Sequence, residues 1–265
     1  MKAFRQSLIF LFALCSVGCF DSSKSLPGYI EGEYTYISSG VAGTLFNIYV
    51  QRGETVKKND LLYALDPQPE TANVEMTKAN IVYQEAQVAF AKIRLTRESN
   101  LLKKNATSQE EYDQAQTDLE SKLGLLAANR AQLTQSEWSL SQKTVYAPEA
   151  GFIFDTYYYV GEKVEANHPV LSLLVPKDII VRFYVPEEKL SQIKLGQKIS
   201  FDCDNCKGRT VATIDYISPE AEYTPPVIYS KDTRYKLVYL VRASMPENIA
   251  KNFHPGQPID VYLHE

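Results

Sequence analysis

Two cysteines that lie close together are the residues whose type and spacing come nearest to a chemical site. Cys203 and Cys206 form a Cys-Asp-Asn-Cys motif. In thiol oxidoreductases such a pair begins a helix, whose dipole lowers the thiol pKa. Here the pair lies between strand-like segments and Gly208 follows, so we expect a disulfide across a turn in an oxidising compartment. Redox chemistry and metal binding are the alternatives, although two cysteines fall short of a closed zinc site.

The histidines and paired carboxylates do not suggest catalysis. His168, His254 and His264 show neither a Ser-His-Asp order nor a His-x-x-x-His spacing. The pair Glu110-Glu111 is expected at a helix N-terminus, where carboxylates interact favourably with the helix dipole. The sequence has no glycine-rich phosphate loop, so any ATP hydrolysis is expected from a partner. We therefore expect no enzymatic activity, no cofactor and no metal.

Composition narrows the class of protein. The 265 residues are 45% hydrophobic and 23% charged, with a net charge of -4 and a pI near 5.6. These fractions are typical of globular proteins. Because the chain has no excess of basic residues, it lacks the electrostatic footprint of a nucleic-acid-binding protein.

The first 18 residues are typical of an export signal. Lys2 and Arg5 precede an apolar stretch, 8–14, that is too short to span a membrane. Ser16-Val17-Gly18-Cys19 is similar to a bacterial lipobox, so Cys19 is expected to carry lipid and to begin the mature chain. Ordinary signal cleavage is the alternative. We expect a protein in the periplasm of a Gram-negative bacterium, anchored by lipid to a membrane, with the inner membrane favoured.

A segment that occurs twice predicts the fold around these residues. Residues 37–66 and 145–174 align with an offset of 108. The offset superimposes two glycines in each copy, Gly43 and Gly53 on Gly151 and Gly161. Each copy has the features of a strand, a turn and a second strand. Since one copy has too little apolar surface to fold alone, the two are expected to close one small β-sandwich.

The segment between the copies, 68–143, has a different period. Apolar residues recur at every seventh position along two stretches: Val74, Ile81, Val88, Leu95 and Leu102, then Leu119, Leu126, Leu133 and Leu140. Such heptads predict two long helices in an antiparallel coiled coil. Ser108-Gln109-Glu110-Glu111 matches a capping box and predicts the start of the second helix. Each arm of about 35 residues should be roughly 50 Å long at 1.5 Å per residue.

The heptads also predict how the helices face each other. If the chain turns near Thr107, Val74 faces Leu140 and Leu95 faces Leu119. The remaining seam positions are assigned to charged residues, which predicts a rod that is weakly stable alone: Lys78, Glu85, Lys92, Arg130 and Glu137. A second stripe, Met76, Tyr83 and Phe90, either packs against another copy of the chain or widens the seam.

The C-terminal part predicts a small β-barrel. Strand-like segments cover 179–185, 198–202, 209–217, 236–242 and 258–263, and short strands of this number and spacing are typical of small barrels. The predicted class is an elongated α+β chain. Its segments are a signal peptide (1–18), a lipid-anchored linker with a lead-in strand (19–36), a split sandwich (37–67 and 144–176), a helical hairpin (68–143) and a barrel (177–265).

This organisation resembles that of the HlyD-type periplasmic adaptors, or membrane fusion proteins. Both halves of the sandwich resemble the biotinyl-lipoyl domain, here split by a coiled-coil hairpin. Four local matches sharpen the resemblance: Gly28 to Glu33, Tyr146-Ala147-Pro148 with Gly151, Val185-Pro186-Glu187, and Pro255-Gly256-Gln257-Pro258. The resemblance implies a subunit of a transenvelope export complex. Such a subunit joins an inner-membrane transporter to a TolC-type outer-membrane channel, usually as a ring of six.

Two further matches concern the partners. Channel-binding members carry an Arg, Leu and Ser at the hairpin tip, and Arg97, Leu101 and Ser108 have the same spacing. Each also has an ordinary explanation, as a solvated charge, a seam residue and a helix cap. Residues 222–227, with Arg234 and 237–238, are similar to adaptors of ABC-type exporters. The rival hypotheses are a periplasmic redox or metal-handling protein using Cys203 and Cys206, and a transporter scaffold that never reaches a channel.

Overall fold

The computed structural model describes residues 25–204, 206, 208–223 and 237–263. The predicted export signal with Cys19, residues 224–227, Arg234 and His264 lie outside the described residues. The chain divides into two compact units. We call residues 34–175 the hairpin unit, and the described residues before 34 and after 175 the barrel unit. Among the described helices, none is both long enough and apolar enough to cross a membrane.

The hairpin unit contains both sequence repeats and the segment between them. Its elements are the end of β1 (Leu26–Ser38), β2 (Gly43–Ile48), β3 (Thr55–Val56), β4 (Leu61–Leu65), α1 (Gln68–Leu102), α2 (Gln109–Ser141), β5 (Thr144–Tyr146), β6 (Gly151–Thr156), β7 (Lys163–Val164) and the start of β8 (Pro169–Pro186). The helices occupy the segment in which heptads predicted them.

The two repeats exchange equivalent hydrogen bonds. Gly53 N donates to Ile153 O at 2.8 Å, and in the other direction Gly161 N donates to Leu45 O at 2.8 Å. Strand pairing repeats as well, because β3 pairs with β6 and β7 pairs with β2. Each copy therefore supplies the backbone partners that the turn of the other copy needs. The predicted fold class, in which two half-units form one sandwich around an inserted hairpin, is confirmed.

The core of the sandwich is built from matching positions of the two copies. Its fully buried side chains include Leu45, Val56, Leu62 and Leu65 of the first copy, and Ile153, Val164, Val170 and Leu173 of the second. Tyr63 and Leu171 are a further matching pair, and both are fully buried. The Tyr63 hydroxyl has no hydrogen-bond partner among the described residues, and burial raises its pKa well above the usual value.

The seam between α1 and α2 is narrower and more polar than the heptads predicted. Its buried residues are Val74, Thr77, Gln84 and Ala91 of α1, and Ala115, Leu126 and Ser136 of α2. All five charged residues were wrongly assigned to the seam and are exposed, because the companion positions lie three residues after the apolar stripe rather than four: Lys78, Glu85, Lys92, Arg130 and Glu137. Glu85 instead forms an exposed ion pair with Arg130 across the two helices at 2.8 Å.

The register of the hairpin differs from the prediction by about one helical turn. Asn73 Nδ2 donates to Ser136 Oγ at 3.0 Å, and both side chains are short, so the two residues lie at the same height. Val74 therefore lies near Ser136 rather than facing Leu140. Gln84 Nε2 donates to Lys122 O at 3.1 Å. This bond requires α2 to be displaced along α1 in the same direction. A shift of one turn exchanges the two seam positions of a heptad, so spacing alone could not separate the registers.

Met76, Tyr83 and Phe90 are exposed on the outside of α1. The alternative in which this stripe widens the intramolecular seam is therefore wrong.

The base of the hairpin is fixed by a buried ion pair. The Lys143 side chain is only 3% exposed, and its Nζ lies 2.9 Å from Glu70 Oε1 at the start of α1. The same ammonium donates to Ala42 O at 2.8 Å. A Cβ at Gly43 would lie 2.7 Å from Lys143 Nζ, so a side chain there would displace the ammonium from this position. Leu65 N also donates to Lys143 O at 2.7 Å, so both ends of the hairpin are tied to the sandwich.

The barrel unit is a closed ring of strands in the described part of the chain. It comprises the start of β1, the end of β8, β9 (Lys198–Asp202), β10 (Thr210–Tyr223), β11 (Leu237–Ser244) and β12 (Pro258–Leu263), with two short helices, α3 (Glu187–Leu190) and α4 (Glu247–Ala250). The strand order is β1-β12-β9-β10-β11-β8, and β1 also pairs with β8. The predicted strands 198–202 and 258–263 agree with β9 and β12.

Replacing Lys143 by Met should lower the free energy of unfolding of the hairpin unit by about 3 kcal/mol, because the carboxylate of Glu70 loses its buried partner. The double variant Lys143→Met/Glu70→Leu should recover much of this loss, since no uncompensated charge remains. Urea unfolding measures both values. Lys78→Met changes an exposed lysine of the same hairpin and is the control. Equal losses for Lys78→Met and Lys143→Met would contradict the assignment.

Replacing Tyr63 by Phe should leave the protein as stable or more stable by about 1 kcal/mol at pH 7, because it removes a buried hydroxyl that has no partner. The folded protein keeps the phenol neutral, whereas the unfolded chain ionises it above pH of about 10. The wild-type protein should therefore lose stability as the pH rises past that value, and the variant should lose less. Urea titrations at two pH values test this, with the exposed Tyr36→Phe as the control.

Candidate functional site at the hairpin tip

The tip is a short turn stabilised by backbone hydrogen bonds. Lys104 N and Ala106 N both donate to Leu101 O, at 3.0 and 2.9 Å. Asn105 has a φ of 52°, in the left-handed region that asparagine tolerates better than most residues. The turn thus closes on the last residues of α1 and sets the direction in which α2 begins.

Two side chains connect the turn to the helices. Ser108 caps α2, because its Oγ accepts a hydrogen bond from Glu111 N at 3.2 Å. Thr107 Oγ1 donates to Glu98 Oε2 at 3.0 Å, which ties the turn back to α1. The sequence predicted the cap from its Ser-x-x-Glu pattern. It did not single out Glu98, because a bond between a glutamate and a threonine in a turn has no characteristic spacing.

One face of α1 leading to the tip forms a shallow groove. Its lining residues are Ala89, Lys92, Ile93, Thr96, Arg97, Asn100, Leu101 and Lys104. They recur at the three- and four-residue spacing of one helix face. The groove combines apolar side chains with three cations, Lys92, Arg97 and Lys104. Such a surface suits a protein partner that presents an apolar ridge flanked by carboxylates or carbonyl oxygens.

The structure places the three predicted tip residues in two positions. Arg97 and Leu101 are one turn apart on α1 and share the groove, while Ser108 lies beyond the turn as an exposed helix cap. Arg97 is exposed and makes no ion pair with another described residue. Its guanidinium therefore points to solvent, where it could bind a partner without first losing an intramolecular contact.

The cysteine motif lies between two strands of the barrel unit. Cys203 and Cys206 are bonded as a disulfide with Cα atoms 5.2 Å apart, within the ordinary range for such a bond. Cys206 N donates to Cys203 O at 3.0 Å, which closes a tight turn between β9 and β10. Among the described residues, no group of three or more His, Cys, Asp and Glu is arranged to hold a metal ion.

The charged cluster of the barrel unit is a network of ion pairs. Arg242 Nε donates to Asp215 at 2.9 Å, and its Nη1 donates to Glu33 at 3.0 Å. The hydrogen bond that Arg242 donates to Asp215 is the main reason why the pKa of Arg242 is raised. Arg182, directly across from Arg242 on the neighbouring strand, donates to Glu31 at 2.6 Å. Arg182 thus has one carboxylate partner and Arg242 has two, which offsets the repulsion between the two guanidinium groups.

Comparisons with known proteins agree with this architecture. Residues 70–143 match the family model described as "RND MFP, alpha-helical hairpin domain". A UPF0194 membrane protein of Acidithiobacillus ferridurans is 26% identical, over 83% of this chain and 81% of the relative.

Two solved structures share the fold. The membrane fusion protein Spr0693 from Streptococcus pneumoniae R6 is 15% identical, with a TM-score of 0.69 and coverage of 91% of this chain and 99% of that one. A MacA-MexA chimeric protein containing the Pseudomonas aeruginosa MexA alpha-hairpin domain is 21% identical, with a TM-score of 0.61 and coverage of 89% and 78%.

Replacing Cys203 and Cys206 by Ser should cost about 2 kcal/mol or less of folding free energy, because the disulfide closes a very short loop. Mass spectrometry of the protein purified from the periplasm should show a gain of two hydrogens on reduction, and urea unfolding measures the stability. A free dithiol in the purified protein would contradict the disulfide. Complete loss of function in a variant that still folds would favour the redox or metal hypothesis.

Proposed function

We propose that this chain is a periplasmic adaptor of the membrane fusion protein family and joins an inner-membrane transporter to a TolC-type outer-membrane channel. The observation that carries the proposal is the exposed tip of a long hairpin whose base is fixed to the sandwich. The arms, of 35 and 33 residues, give a reach of about 50 Å at 1.5 Å per residue.

The tip suits docking to a channel for two reasons. Arg97 and Leu101 place a cation and an apolar side chain side by side on an exposed groove, and arginine is one of the residues enriched in protein interfaces. The turn is also held by the Ser108 cap and the bond between Thr107 and Glu98. A tip that is already ordered loses less conformational entropy on binding.

Self-association supplies the rest of the assembly, in a ring that the family resemblance puts at six subunits. The exposed stripe of Met76, Tyr83 and Phe90 supports lateral contacts between hairpins, because monomeric proteins rarely leave an ordered apolar row uncovered. The polar seam between α1 and α2 also favours contacts between neighbouring hairpins. Since few large apolar side chains are buried between α1 and α2, a neighbouring hairpin would add much of the missing stability.

The membrane anchor and the transporter class are the finer parts of the proposal. Cys19 carries the lipid and holds the chain on the inner membrane from the periplasmic side, and the transporter is of the ABC type, on the basis of residues 222–227. The description of the matching family model instead names RND systems, so an RND transporter is the second candidate. The two candidates differ in the partner that would be isolated with the chain.

Tip docking is tested by replacing Arg97 with a photo-reactive amino acid in the full, membrane-anchored chain. Irradiation of cells should give a product that contains an outer-membrane channel protein, because the side chain at position 97 points into the docking groove. The same substitution at Lys78, an exposed lysine near the hairpin base, should give no channel product. Mass spectrometry identifies the partners, including the transporter that is purified with the chain.

A chain that is purified with its transporter but gives no channel product from position 97 would favour the scaffold hypothesis. Deleting residues 97–108 separates the hypotheses further. The adaptor should lose export entirely, whereas a scaffold should retain it.

A further inference from the structure

The two halves of the sandwich carry equivalent aromatic residues on opposite outer faces. Phe46 and Phe154 are related by the repeat offset, and so are Tyr49 and Tyr157. The backbone hydrogen bonds at these positions are also equivalent. Tyr49 N donates to Leu62 O at 2.9 Å, and Tyr157 N donates to the matching Val170 O at 2.8 Å. We call the surface of Phe46 and Tyr49 the open face, and the surface of Phe154 and Tyr157 the covered face.

On the covered face, two tyrosines from the end of β1 pack over the aromatic pair. The Tyr34 ring lies 4.1 Å from that of Phe154, and the Tyr36 ring lies 6.4 Å from that of Tyr157, between ring centroids. Tyr157 Oη donates to Ser172 Oγ at 3.0 Å, and Ser172 is fully buried beneath this layer. The covered face thus shows what fits such a surface, namely tyrosine side chains spaced two residues apart along an extended strand.

On the open face, Phe46 is more exposed than its counterpart. Phe46 is 64% exposed, against 39% for Phe154, whereas Tyr49 and Tyr157 are alike at 47% and 44%. Ala64 stands where the covered face has Ser172, so the buried hydroxyl that anchors Tyr157 has no counterpart here. The difference in cover therefore lies at the Phe: Tyr34 packs on Phe154, and no ring of the described residues is placed on Phe46 in the same way.

The turns beside the two faces also differ in polarity, and the more apolar turn lies beside the open face. Beside the covered face, the turn carries Gln51 and Arg52, and Arg52 lies 3.7 Å from Asp155 in an exposed ion pair. Beside the open face, the equivalent turn carries Tyr159 and Val160, which are 79% and 58% exposed. The turn beside Phe154 is thus polar, whereas the equivalent turn beside Phe46 is apolar. Contiguous exposed apolar residues of this kind mark interaction sites.

We infer that the open face binds a second copy of this chain, through Tyr36 and Tyr157 on the covered face of that copy, which are 60% and 44% exposed. The chain itself shows that tyrosines of this segment pack on an equivalent Phe/Tyr pair. Because the two faces are on opposite sides of the sandwich, the contact is head-to-tail, and its repetition generates a closed ring or a filament. The inference rests on the proposed self-association and assigns it a surface in the sandwich.

The direct test places a photo-reactive phenylalanine analogue at position 46 of the full, membrane-anchored chain. Irradiation should join copies of the chain, and mass spectrometry should find the cross-link in peptides that contain Tyr36 or Tyr157. A product with a different protein, a link between copies through other segments, or no product from a folded chain would each overturn the inference. The same analogue at Val211, an exposed residue of the barrel unit, should give no such link.

A second measurement does not depend on the photo-reactive group. The double variant Phe46→Ser/Tyr159→Ser should raise the dissociation constant of the oligomer at least roughly tenfold, as expected for removal of aromatic anchors from an interface. Analytical ultracentrifugation in detergent measures this constant, circular dichroism checks folding, and Val211→Ser is the control. An unchanged constant in the folded double variant would overturn the inference.

The two proposals fail in different ways. If position 97 still reaches a channel while position 46 reaches no second copy, the adaptor function stands and the open-face assignment falls. If position 46 links copies while position 97 reaches no channel, the opposite holds.

Discussion

The hairpin unit depends on one junction, where the chain leaves the sandwich after Asp66 and returns at Lys143. Leu65 N donates to Lys143 O, and the Lys143 ammonium binds both Glu70 and Ala42 O. A long insertion can interrupt a small domain when its two ends return to the same place, since the closure cost grows only slowly with length. The buried ion pair sets that place, and removing either partner alone would leave a charge without compensation.

The features that could be predicted from the sequence are those with a local period. The glycine offset identified the two half-units, and the heptads with the Ser108 cap located both helices. The features that could not be predicted join residues far apart in the chain. The pair Lys143 and Glu70 has no characteristic spacing. The hairpin register was displaced because both seam positions repeat every seven residues, so a shift of one turn preserves the pattern.

The candidate site shows the same division. Arg97, Leu101 and Ser108 were found by their spacing in a known family, and the structure adds the groove around the first two and the bond that ties Thr107 to Glu98. The open face around Phe46 could be recognised only by comparing the two copies in space. Its aromatic residues are ordinary strand residues in the sequence, and what distinguishes Phe46 from Phe154 is its greater exposure, since Tyr34 packs on Phe154 alone among the described residues.

The duplication also explains how so small a sandwich carries two large appendages. The first copy ends at Asp66, from which the chain enters the helices. The second copy ends at the matching residue, Leu174, from which β8 continues towards the barrel. Duplicating one half-unit thus left two matching exit points on a shared core. Adding or deleting heptads beyond the junction would lengthen or shorten the arm and leave that core intact, so the length of the arm can change independently of the sandwich that holds it.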